Sequence, residues 1–110
     1  MSEQTSQSFP VALGADHGGF NLKQIIKDDL ISKGYQVNDV GTHNTEAVDY
    51  PQLARKVAEE VSSGRSRFGI MIDGAGIGSA MVANKLPGVR AALCYDLSTA
   101  GNAREHNDAN

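Results

Sequence analysis

Along this chain, short apolar runs alternate with segments whose apolar positions recur every three or four residues. Phe9–Gly14 (FPVALG) predicts a strand. Phe20–Lys33 puts Leu22, Ile25, Ile26 and Leu30 on one helical face, and Gly34 is placed to cap its end. Tyr35–Val40 predicts a second strand, and Gly41–Asp49 is a polar loop. Pro51 predicts a helix start, where its missing N–H costs nothing; Leu53, Ala54, Val57, Ala58 and Val61 form the inner face and Gly64 the end. Phe68–Ile72 is apolar on both faces, as a central parallel strand covered by helices would be. A glycine-rich turn, Asp73–Gly78, opens a helix running to about Lys85, which Pro87 and Gly88 break. Val89–Tyr95 predicts a fourth strand, and Asp96 or Ser98 can cap a last helix to about His106.

Strict strand–helix alternation implies a parallel sheet with right-handed crossovers, hence a Rossmann-like three-layer α/β sandwich. Residues 1–9 are expected to be a flexible leader and 10–110 a single α/β domain. Met1–Pro10 is polar, with neither a basic start nor an apolar run, so no signal peptide is expected there. No apolar stretch is long enough to span a membrane. The net charge of −3 comes without a basic stripe, which argues against nucleic acid as a partner. Cys94 is the only cysteine, so no internal disulfide can form, which fits a reducing, cytoplasmic setting. Its place in the fourth apolar run predicts a small buried hydrophobe.

In such sheets ligands bind beyond the carboxyl ends of the strands. That directs attention to Asp16 and His17, the Gly41–Tyr50 loop, Asp73–Ser79 and the residues from Asp96 onward. In Gly14-Ala15-Asp16-His17-Gly18-Gly19, an acid beside a histidine can share proton-transfer work. The same string also suits an Asp cap before a tight turn. In Asp73-Gly74-Ala75-Gly76-Ile77-Gly78-Ser79, a strand feeds a glycine turn that opens a helix, an arrangement suited to an anion. Ser79 stands where the dinucleotide fingerprint needs glycine, and no Gly-Lys-Ser/Thr follows, so a nucleotide-binding module is disfavoured. Asp73 either takes a proton from a substrate whose charge the turn stabilises, or caps the turn. His106 is placed where a helix dipole favours a cation, and a surface histidine on a helix end is the plainer alternative. His43 reads as surface. No ligand spacing suggests a metal.

Together these motifs resemble one family, that of type B ribose-5-phosphate isomerase and the two subunits of galactose-6-phosphate isomerase. The matching segments are GADHGGF (Gly14–Phe20), KGYQVNDV (Lys33–Val40) with Gly41-Thr42, VDYP (Val48–Pro51), GAGIG (Gly74–Gly78), ANKLPGVRAAL (Ala83–Leu93) and REHNDAN (Arg104–Asn110). The resemblance implies an aldose–ketose isomerase of phosphorylated sugars, acting through a cis-enediolate without metal or cofactor. It implies that Asp16 and His17 meet the sugar's ring oxygen, hydroxyls or phosphate and that Tyr50 and Asn107 contact substrate. It also implies that Gly74, Ala75, Gly76 and Gly78 form the loop whose amides hold the enediolate, and that His106 opens the ring. Sites between subunits make a homodimer or homotetramer the expected assembly.

Two departures stand out. Where the familiar ribose enzymes carry a cysteine base before the loop, this chain has Asp73, as in the A subunit of galactose-6-phosphate isomerase. Asp73 is therefore the expected base, with His106 and Asp16 as the other catalytic groups. Another branch uses a glutamate shortly past the loop glycines; with Ser79 in that region, this option is closed. Ala75 replaces a frequent threonine. Family members also continue past REHNDAN through a further strand and helix that carry phosphate-binding arginines, and these are expected to be absent here. A non-catalytic or partner-dependent subunit of a heteromeric isomerase is the alternative expectation.

Overall fold

The computed structural model describes residues 9–110, so the expected leader lies, apart from Phe9, outside the described residues. Three strands form a parallel sheet in the order β2-β1-β3: β1 (Pro10–Ala15), β2 (Gln36–Gly41) and β3 (Phe68–Ile72). Helices α1 (Phe20–Ser32) and α2 (Tyr50–Ser62) make the crossovers. The first crossover leads from the centre to one edge and the second leads back past the centre to the other. With right-handed connections, the two helices therefore cover opposite faces, as the three-layer expectation requires. α3 (Ile77–Ala83) follows β3, and α4 (Leu97–Asn107) ends the chain.

The core sits on β1. Val11, Ala12, Leu13 and Ala15 are buried, and α2 lays Leu53, Ala54, Val57 and Ala58 against them. α2 approaches closely because two strand positions lack side chains. A Cβ on Gly14 would come within 2.6 Å of Val57 Cγ2, and one on Gly69 within 2.8 Å of Val57 Cγ1.

α1 departs from expectation. Leu22 and Ile25, expected to face inward, are 50% and 66% exposed, while Lys23 is fully buried. Lys23 Nζ lies 2.7 Å from both oxygens of Asp39 on β2, and Lys27 Nζ lies 3.1 Å from Oδ2. A buried ammonium is tolerable only when paired in this way. Burial pushes the Asp39 carboxyl up, but hydrogen bonds from Lys23, the Gly41 N–H and Lys27 more than offset this and hold it below its ordinary value.

The expected fourth strand does not form. Val89–Tyr95 joins no ladder, and Cys94, expected in the core, is exposed. Asn110 explains the placement of this run. Its carbonyl accepts from the Gly69 N–H of β3 (2.9 Å), and its own N–H donates to the Arg90 carbonyl (3.0 Å). Asn110 thus stands between β3 and the run, which lies one strand-width too far out to pair with β3. Smaller differences concern ends: α2 begins at Tyr50, α3 stops at Ala83, and α4 reaches Asn107. Asp96 does cap α4, its carboxylate accepting from the Thr99 N–H at 2.8 Å; that bond and the Thr99 hydroxyl hold its pKa low.

Candidate active site

Parallel strands end together, and the loops that follow β1, β2 and β3 are stitched side by side. The Asp16 N–H donates to the Ile72 carbonyl at 3.2 Å, and the Thr42 N–H to the Ala15 carbonyl at 2.8 Å. Gly19 packs so closely on the Ile72 carbonyl that no side chain fits there.

Asp16 holds its own turn, its Oδ1 accepting from the Gly19 N–H at 2.9 Å. Asp16 thus closes the turn before the helix, while α1 itself is capped at Gly19 without a side-chain bond, and the carboxylate's remaining lone pairs stay open to a ligand. His17 is exposed, and its Nδ1 accepts from the Val48 N–H at 3.2 Å. In the neutral ring this leaves Nε2 as the N–H donor. The same bond pins the Gly41–Asp49 loop beside the site. Farther back, Asp39 Oδ1 accepts from the Gly41 N–H at 2.9 Å, so the buried Lys23–Asp39 pair also supports the start of that loop.

Tyr50 opens α2, and its hydroxyl lies against Gly78; a Cβ at Gly78 would collide with it. Gly76 has φ +78°, left-handed backbone that favours glycine. This turn carries the Gly76 N–H inward to Asp73 Oδ1. Asp73 Oδ2 accepts from the Ser79 hydroxyl, which is buried at the start of α3. Asp73 is half-buried, and Gly74 and Ala75 are exposed at the crest of the loop.

The fold thus gathers Asp16, His17, Tyr50, Asp73, Gly74, Ala75, Gly76 and Gly78 at one end of the sheet. It does not bring His106 and Asn107 there. Arg104 stacks 5.6 Å from the Phe68 ring, and Asn110 bonds Gly69, so the end of α4 lies beside the beginning of β3. Asp73 follows the other end of that five-residue strand, roughly 16 Å away at 3.3 Å per residue. The Asn107 side chain is itself bound to Asn102 Oδ1 at 2.8 Å. A cleft of about 690 Å³ lies elsewhere, between residues 89–93 and α4, and of the candidate residues only Asn107 lines it.

Two contacts escaped the sequence reading. Ser79 was visible only as the residue that spoils a nucleotide motif and that stands in the region where another branch carries a glutamate. Leu93, which lies against Gly76, carried no local signal at all. Among the described residues, no three His, Cys, Asp or Glu side chains cluster as metal ligands, and no helix is long and apolar enough to cross a membrane.

The sequence profile of the ribose/galactose isomerase family matches residues 11–110. Ribose-5-phosphate isomerase B of Escherichia coli is 43% identical over 100 residues, which are 91% of this chain and 67% of that protein. Among solved structures, ribose-5-phosphate isomerase B of Clostridium thermocellum superposes with a TM-score of 0.89 at 52% identity, covering 92% of this chain and 68% of that one. The type B ribose 5-phosphate isomerase of Trypanosoma brucei gives 0.87 at 45%, covering 94% and 70%. Fold, motif order and sequence identity over nearly the whole chain agree: this chain belongs to the ribose/galactose isomerase family.

Proposed function

We propose that this chain interconverts an aldose phosphate and a ketose phosphate through a cis-enediolate, with ribose 5-phosphate and ribulose 5-phosphate as the first pair to consider. The observation that carries the reading is the convergence of Asp16, His17, Tyr50 and the Asp73–Ser79 loop at the carboxyl end of the sheet, in a chain whose relatives are named for that reaction.

In this reading Asp73 removes the proton from C2. The C2–H electron pair becomes the C1=C2 bond of the enediolate, and the negative charge that develops on O1 falls against the loop amides other than that of Gly76, which Asp73 already holds. Return of the proton to C1, with transfer of the O2 proton to O1, gives the ketose. Each oxygen of Asp73 accepts one internal hydrogen bond and keeps lone-pair capacity, so holding the turn and taking a proton are compatible. The free Nε2–H of His17, Tyr50 and Asp16 are placed to orient the sugar.

His106 stands at the end of α4 that lies beside the start of β3, about one strand length from Asp73 of its own chain. We assign His106 and Asn107 to the site of a neighbouring copy, in a homodimer or homotetramer. Ile77, Met81, Tyr95 and Leu97, 56% to 92% exposed, offer apolar surface for such an assembly.

The test is incubation in D₂O with ribose 5-phosphate, allose 6-phosphate, galactose 6-phosphate or erythrose 4-phosphate, following deuterium at C2 by NMR. Exchange with ribose 5-phosphate, lost by a factor on the order of 10² or more in Asp73→Asn, is the expected result. Exchange with another sugar alone corrects the substrate. No exchange with any of them overturns a self-sufficient enzyme and favours a partner-dependent subunit.

A further inference from the structure

We propose that Ser79 is a positioning residue for the Asp73 carboxylate. This rests on the reading of Asp73 as the base. An aspartate on a loop after a strand can rotate about both side-chain bonds. Here two donors fix its plane, the Gly76 N–H on Oδ1 and the Ser79 hydroxyl on Oδ2. The backbone donor survives any side-chain change, whereas the hydroxyl is a side-chain choice. Ser79 is 4% exposed, so its hydroxyl has little access to water and a large internal reason to be there. No reading of the fold otherwise calls for a polar group at this buried place on α3. The other polar groups around the loop come from separate elements: Asp16 and His17 after β1, and Tyr50 at the head of α2. Leu93, from the 89–95 run, closes the Gly76 side with apolar surface. The hydroxyl therefore sets which lone pair of Asp73 faces the substrate's C2 hydrogen, and alignment of that pair governs the rate of proton transfer.

Two variants test this, Ser79→Ala and Ser79→Thr, each first shown to be folded by thermal unfolding. Ser79→Ala is expected to lower kcat on the order of tenfold with KM within about twofold. The deuterium isotope effect for substrate labelled at C2 should rise, because proton abstraction becomes more limiting. Ser79→Thr, which keeps the hydroxyl, should restore both. In the free protein, the ¹³C carboxyl resonance of Asp73 should move in Ser79→Ala and stay in Ser79→Thr. An unchanged kcat and isotope effect in Ser79→Ala overturns the proposal. A resonance that moves in Ser79→Ala, together with a wild-type protein that exchanges no sugar, overturns the base reading instead and leaves the contact standing.

Discussion

Strand β1 and the run Val89–Tyr95 are both largely apolar, yet one is sealed and the other bare. Val11, Ala12, Leu13 and Ala15 are at most 5% exposed, while Tyr95 is 77% and neighbouring Leu97 is 92% exposed. Side-chain chemistry does not separate them. β1 has a strand on each side and a helix on each face, so it shares a ladder with both neighbours and buries its side chains on both faces. Among the backbone hydrogen bonds of the described residues, the later run is tied to β3 through Asn110. Apolar residues become a strand when neighbours lie within about 4.8 Å to accept the ladder, and that condition is set far away in sequence.

Three substitutions probe this contrast, in order of expected effect. Asp39→Ala leaves Lys23 buried without its partner and should cost about 4 kcal/mol in urea unfolding. Because the Asp39 carboxyl is held below its ordinary value when folded, its stabilisation is present above the unfolded pKa and is lost as pH falls through the folded one. The gap between wild type and Asp39→Ala should therefore be full above about pH 4 and shrink below it. Leu13→Ala, in the middle of β1, should cost about 3 kcal/mol by the same measurement. Leu97→Ser should change stability by less than about 0.5 kcal/mol. A cost at Leu97 as large as at Leu13 would mean that the C-terminal region is packed, and would erase the distinction.

The same contrast explains what could be read in the chain. β1 and α2 were legible because period and burial agree there: Leu53, Ala54, Val57 and Ala58 fall on one face, and that face is buried. β3 was found as a strand, but it is an edge strand of half-buried residues and not the central, covered strand its apolar run predicted. α1 was misread because its inward position is Lys23, whose partner Asp39 lies 16 residues away; periodicity sees apolar residues and is blind to a paired charge. The fourth run was misread because pairing is not local. At the site, the rule that ligands meet the carboxyl ends of parallel strands identified Asp16, His17 and Asp73 correctly as neighbours. The same geometry sends α4 back along the sheet, which is why its last residues, His106 and Asn107, finish at the far end of β3. Ser79 escaped because its partner is reached only when Gly76 turns left-handed.

The contact between Tyr50 and Gly78 also constrains how this chain can change over generations. While the phenol occupies that space, any residue with a Cβ at 78 meets it, so position 78 is closed to drift. A smaller residue at 50 would remove that obstacle. Substitutions therefore arrive in a set order, 50 before 78, and the two positions vary as a linked pair. Ala75 and Ile77, exposed on the same loop, stand outside that linkage.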